Sequence, residues 1–279
     1  MKRSFLIAIY SLGLLFLAVG AEDKQDWSKL ESELRGLQSA LSEPEILLIN
    51  PILQQIITHK NTNLLVELAI QDRYSLVAVA GITGLARLDP NLAYQVALGR
   101  VWLSTNVSSA HILPFAAQLS QDLPVDRFVA VFSPLALLSP GDWGSAALAV
   151  QQVPRKLLIG WLRTGAGRSS LTTVSLVIDN LMPKLSSFEP ADQQLVLDNL
   201  AALRSAPGYP SAIWLLYGKT SLDELIDGLR TVLGDNSIGI SVKTLLLRKH
   251  YKQLAKVDNL PFSDRDKRYI TELARKYGE

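Results

Sequence analysis

These 279 residues predict an all-α chain, built of antiparallel helix pairs stacked in sequence order. Three observations carry that expectation. Helical patterns of about 12 to 16 residues alternate with Pro, Gly, Ser and Asn breaks. Pro90, Pro124, Pro154 and Pro190 fall 34, 30 and 36 residues apart, near the roughly 33 to 47 residues of a two-helix repeat. Short β-like runs such as Phe128 to Phe132 sit inside longer helical windows. No alternation persists over several strands, which excludes an all-β fold.

The front end reads as a secretory signal peptide over residues 1–21. Lys2 and Arg3 form a charged start, Phe5 to Val19 an apolar stretch, and Val19-Gly20-Ala21 a small-residue end. Cleavage is expected before Glu22, leaving residues 22–279 as one helical-repeat domain, periplasmic or secreted. No cysteine follows to carry a lipid. The alternative is an uncleaved anchor, since Ser4 to Ala21 is uncharged over a length close to a membrane span. Removing the segment takes two basic residues from 28 and none of the 26 acids, so the mature chain is formally neutral. Its mild basicity therefore says little about the mature surface.

Asp26 to Leu41 is expected as an amphipathic helix, with Trp27, Leu30, Leu34, Leu37 and Leu41 on one stripe. Its polar outer face suits the end of a stacked array. Glu45 to Lys60 follows, interrupted at Pro51.

Asn63 to Pro90 is the clearest pair. Leu64, Leu65, Leu68 and Ala69 share a helical stripe, and Asp72, Arg73, Tyr74 and Ser75 make a break in which Asp72 or Ser75 would cap the next helix. Leu76 to Leu88 is apolar nearly all round and carries Ala78, Ala80, Gly81, Gly84 and Ala86. Each glycine costs a helix roughly 1 kcal/mol against alanine, a cost that close packing by a neighbour would offset. Asp89-Pro90 ends the helix, because the residue before proline is pushed out of the α region.

This pair resembles the HEAT-like repeat family through Val77, Ala80, Leu85, Leu88 and Asp89-Pro90. It departs from the family where Ala78 stands in place of an arginine and in a loop one residue short. The resemblance implies a right-handed α-solenoid of antiparallel helix pairs and no particular activity.

Further helices are expected at 91–104, 107–121, 125–138, 142–152, 155–165, 170–185, 190–205, 209–218, 221–234, 238–257 and 263–277. Charge is thin in the middle: Asn91 to Gly218 holds 8 basic and 7 acidic residues in 128. Such a stretch buries its surface between helices or turns an apolar face to a partner.

Several chemistries lack their signature. His59, His111 and His250 lie far apart and there is no HExxH, which argues against zinc and for surface or capping roles. There is no GxSxG and no SxxK. Asp223, Glu224 and Asp227, and likewise Glu189 and Asp192, sit where helices start and favour the positive end of a helix dipole. Gly165 to Ser170 has no strand before it and no lysine after it, so it reads as a linker rather than a phosphate cradle. Asn106-Val107-Ser108 is a glycosylation sequon, relevant only in a eukaryotic source.

Two acid-free basic tracts are the candidate binding residues. Gly144 to Ile178 holds Arg155, Lys156, Arg163 and Arg168; Asn236 to Val257 holds Lys243, Arg248, Lys249, Lys252 and Lys256. On the last long helix Leu247, Tyr251 and Leu254 share one face, while Arg248, Lys249, Lys252 and Lys256 gather on the other. Like charges at i, i+4 cost a few tenths of a kcal/mol per pair. Relief comes from acids on neighbouring elements, such as Asp264 or Asp266, or from an anionic partner. The functional expectation is a non-catalytic exported scaffold that binds a protein, an anionic surface or a polymer. Nucleic acid does not suit an exported chain, and no small-molecule cofactor is indicated. The alternative is an exported hydrolase with a site assembled from scattered residues.

Overall fold

In the computed structural model the described residues are 32–35, 50–70, 75–103, 108–138, 140, 143–165 and 170–278. Among them every regular element is a helix, α or 3-10, and none is long and apolar enough to cross a membrane. The expected signal segment, most of the helix at 26–41, the break at 71–74 and Asn106 lie outside the described residues. The chain divides into two compact units, 1–157 and 158–279.

The first unit carries α1 (Pro51–Thr58), α2 (Thr62–Ala69), α3 (Ser75–Leu88), α4 (Pro90–Leu103), α5 (Ser108–Ser120), α6 (Val125–Ala136) and α7 (Trp143–Gln152). Its helix starts are written in side chains. Pro51 begins α1 rather than interrupting a longer helix, and Asn50 caps it by accepting from the Ile52 amide at 2.9 Å. Asn61 caps α2 through the Leu64 amide at 3.1 Å. Asp89 does two jobs. Its amide donates to the Leu85 carbonyl at 2.7 Å as α3 ends, and its carboxylate accepts from the Asn91 and Leu92 amides as Pro90 opens α4.

The helix pair expected from Asn63 to Pro90 is α2 packed on α3. Gly81 is its point of closest approach. A methyl group there would lie 2.4 Å from the Ala69 nitrogen and 2.8 Å from the Leu65 carbonyl oxygen, so the two backbones meet directly. Gly84 faces the end of the Leu65 side chain, 2.7 Å from where a methyl would stand.

Helix α4 is enclosed along most of its length. Ala93, Tyr94, Val96, Ala97, Leu98, Arg100, Val101 and Trp102 are all buried, and α3, α5, α6 and α7 pack around it. Tyr94, Trp102, Phe128 and Phe132 make an aromatic ladder between α4 and α6: Phe128 and Phe132 stack at 5.0 Å, and Trp102 meets Phe132 edge-on at 5.7 Å. The indole of Trp102 donates to the Leu138 carbonyl at 3.2 Å. The helices at 125–138 and 142–152 were expected between one pair of prolines. Here α6 packs on α4, with Tyr94 and Trp102 meeting Phe128 and Phe132, and α7 packs on α4 and α5.

Helix α8 (Arg155–Arg163) runs across the division between the units. The second unit continues with α9 (Leu171–Leu181), a 3-10 segment (Met182–Ser187), α10 (Pro190–Ala202), α11 (Tyr209–Tyr217), α12 (Leu222–Gly234), α13 (Ile240–Leu254) and α14 (Asp264–Tyr277). The helix expected over 170–185 breaks at Pro183, which has no N–H to continue the α ladder. The helix expected over 238–257 is shorter, ending at Leu254, with Ala255 and Lys256 in a turn.

The nine-residue α11 is the hub of this unit. It packs on α9, α10, α12 and α13, and its Ala212, Leu215 and Leu216 enter a core with Leu225, Leu229, Leu246 and Leu254. Gly208 precedes it at φ 71°, a left-handed conformation that favours glycine. Ser221 and Ser263 cap α12 and α14.

Gly81→Ala adds helix propensity of about 1 kcal/mol but drives a methyl into backbone, where overpacking costs about 1–3 kcal/mol. Gly84→Ala meets only a side-chain end that can rotate. Denaturant melts are expected to show Gly81→Ala less stable than the parent and less stable than Gly84→Ala. Equal stability of the two variants would refute the backbone contact.

Candidate functional site

The second basic tract forms the exposed face of α13. Arg248, Lys249 and Lys252 are exposed on the helix, and Lys256 is exposed in the turn after it. The opposite face is buried through Leu246, Leu247, His250 and Leu254. Between Ile240 and Gly278 the sequence holds ten basic residues and four acids.

Relief by Asp264 and Asp266 is not what the structure places there. Asp264 pairs with Lys267 at 3.9 Å, and Asp266 accepts from the Ser263 hydroxyl at 2.6 Å as part of the α14 cap. Among the described residues Arg248, Lys249, Lys252 and Lys256 have no salt bridge. Lys249 instead lies over the Tyr217 ring, 5.5 Å from its centroid, and burial of its ammonium lowers its pKa.

Three contacts fix the inner and lateral sides of α13. Lys243 donates to the Leu233 carbonyl at 2.9 Å, and the Tyr251 hydroxyl donates to the Tyr277 carbonyl at 2.9 Å. The third is His250, expected in a surface or capping role and found buried against the last turn of α11, where its Nε2 lies 2.9 Å from the Leu215 carbonyl oxygen. A carbonyl only accepts, so Nε2 carries the proton and donates. Burial lowers the pKa of His250, the neighbouring charge of Lys249 adds to this, and the hydrogen bond opposes it.

Beneath this helix sits a carboxylate bridge that sequence spacing did not reveal. Asp179 on α9 accepts from Tyr217 at 2.8 Å on one oxygen and from Tyr209 at 3.1 Å on the other. Burial, reinforced by the carboxylate, raises both phenol pKa values well above the ordinary value, so both hydroxyls remain donors. A groove of about 340 Å³ runs between α13 and α14, lined by Lys243, Arg265 and Arg268 together with Asp266 and Glu272.

The first basic tract is arranged differently. Arg163 is ion-paired with Asp192 on α10, an acid 29 residues away. Arg155 and Lys156 open α8 and are exposed, at the end where the helix dipole disfavours cations. Arg168 lies outside the described residues.

The acidic helix starts are structural. Asp192, Asp223 and Glu224 lie in first turns. Glu224 also accepts from Arg204 at 2.8 Å and from the Trp214 indole at 3.3 Å, and the Arg204 hydrogen bond holds its pKa below the usual carboxylate value. His59 ends α1, its Nδ1 2.7 Å from the Gln55 carbonyl oxygen. Among the described residues no three His, Asp or Glu side chains come together in a way that would hold a metal ion.

No family model, curated protein or solved structure matches this chain.

The buried imidazole gives the second unit a pH signature. Unfolded, His250 titrates near 6.5; folded, it stays neutral to lower pH. The unfolded state binds more protons between those two values, so stability rises with pH there. The contribution is full above about 6.5 and is lost as pH falls toward the folded pKa. The melting temperature of the parent is expected to fall more between pH 7 and pH 5.5 than that of His250→Gln. Parallel pH profiles would remove His250 from that role.

Proposed function

We propose that this chain is an exported, non-catalytic helical-repeat scaffold that binds an anionic partner through the exposed face of α13. The observation that carries the reading is the set of four cations, Arg248, Lys249, Lys252 and Lys256, exposed and without a salt bridge among the described residues. A partner that supplies negative charge relieves their mutual repulsion.

The scaffold reading extends to architecture: a right-handed stack of antiparallel helix pairs of HEAT-like type. It is supported by the close α2–α3 pair, with glycines at its contact, and by helices that pack mostly on near neighbours along the chain. The hydrolase alternative needs a titratable group free to act. Asp179 accepts from two phenols and His250 donates to a backbone carbonyl, which favours the scaffold. Export rests on the charged, apolar and small-residue order of residues 1–21. N-terminal sequencing of the purified protein is expected to begin at or near Glu22; an intact Met1 on membrane-bound material would refute cleavage.

The binding face is tested by replacing Arg248, Lys249, Lys252 and Lys256 together with glutamine. These side chains lie off the apolar stripe, so the helical circular dichroism spectrum and the melting behaviour should stay close to the parent. Titration with long-chain polyphosphate at low salt should show binding by the parent and a large loss in the variant. Added salt should weaken the parent in the same direction by screening. Equal affinity of the two proteins would make the face a solvated surface and end the proposal.

A further inference from the structure

We propose that the α13 face seats on an anionic lipid bilayer, with Leu245 entering the boundary between headgroups and acyl chains. This rests on the anionic-partner reading above and names its occupant. The added observation is Leu245 itself, 49 % exposed on the face that also carries Ser241, Arg248, Lys249 and Lys252. Arg248, Lys249 and Lys252 follow it by three, four and seven residues. At about 100° per residue those offsets place Leu245 inside the cationic arc, between Lys252 and Lys249.

That arrangement separates a bilayer from a soluble anion. A polyanion or an acidic protein surface satisfies the ammonium and guanidinium groups but sets charge against the leucine. A bilayer offers both environments in one plane: phosphates at headgroup depth, and the acyl boundary a few ångströms below them. Lysine and arginine stems lie along the apolar layer while their heads reach back to the phosphates.

The face is also held firmly enough to bind as a unit. Lys243, His250 and Tyr251 tie α13 to the Leu233, Leu215 and Tyr277 carbonyls. Charged groups on the helices packed against it do not neutralise the arc. On α12, Glu224 is held by Arg204, while Asp223 and Asp227 are exposed without a salt bridge among the described residues. On α14, Asp264 pairs with Lys267, Asp266 serves the cap, and Glu272 lies among Lys267, Arg268 and Arg275. On α11 the nearest group is the Tyr217 ring under Lys249.

The test is co-sedimentation of the protein purified from the exported fraction with vesicles of phosphatidylcholine alone and vesicles containing phosphatidylglycerol. A parallel titration uses soluble polyphosphate. Binding is expected only to the anionic vesicles, weakened about fivefold for each cation replaced by glutamine and suppressed by salt. Leu245→Ser is expected to weaken vesicle binding about fivefold while leaving polyphosphate binding unchanged. Circular dichroism confirms that each variant is folded.

Tight binding to polyphosphate with none to anionic vesicles would overturn the bilayer and leave the anionic-partner reading standing. Binding to neither would overturn both. Vesicle binding unaffected by Leu245→Ser, or equal on neutral and anionic lipid, would overturn the seating proposed here.

Discussion

A helix buried along most of its length has little face to give to water, and both units are arranged around that constraint. In the first unit α3 is buried from Leu76 to Leu85, and α4 beside it is enclosed by α3, α5, α6 and α7. In the second the helix is the short α11, enclosed by α9, α10, α12 and α13. Burial of a leucine-sized side chain is worth about 1.5–3 kcal/mol, and each of these helices buries several. Glycine supplies close approach at two other contacts, where side chains would hold helices apart. Gly81 lets α3 touch the backbone of α2, and Gly228 on α12 accepts the Leu215 side chain of α11, 2.8 Å from where its own methyl would stand.

The same constraint sorts the charges. Central helices leave little surface for ions, so charged residues collect on outer helices and at helix ends. Arg163–Asp192 and Arg204–Glu224 are exposed pairs of the kind worth about 0–1 kcal/mol. They join α8 to α10, and the turn after α10 to α12, without deciding the fold. The cations of α13 differ because no acid lies on their own helix, and Asp264 and Asp266 of α14 answer to other partners.

Much of this was legible in the sequence because local chemistry decides it. Asp89-Pro90 marked the end of α3, and helix ends from α4 onward fall within a few residues of expectation. The Gly81 and Gly84 pattern announced a close neighbour before any neighbour could be named. What was not legible depends on distant residues. Arg163 looked unaccompanied over 144–178, yet Asp192 returns to it across α9 and the 3-10 segment. His250 falls on the buried side of α13 only because α11 presents the Leu215 carbonyl there. The packing of α6 on α4 follows from aromatic side chains at 94, 102, 128 and 132, whose helical spacing shows a face but not its partner. Lys256 missed the helix by two residues, because the backbone turns at Ala255 before another i, i+4 step is complete.

Fold and surface on α13 are therefore separable. Its inner side is fixed by Leu246, Leu247, His250 and Leu254, and its flanks by Lys243 and Tyr251. None of those contacts uses the charges of Arg248, Lys252 or Lys256. Those charges contribute repulsion of a few tenths of a kcal/mol per i, i+4 pair, and the folded unit gains nothing from them that the structure records. Lys249 is the intermediate case, tied to Tyr217 and through that ring to the carboxylate of Asp179. A helix whose inner half is bound this tightly can carry an unneutralised outer half without losing its place. That is the physical condition for a surface whose charge is available to something other than the protein itself.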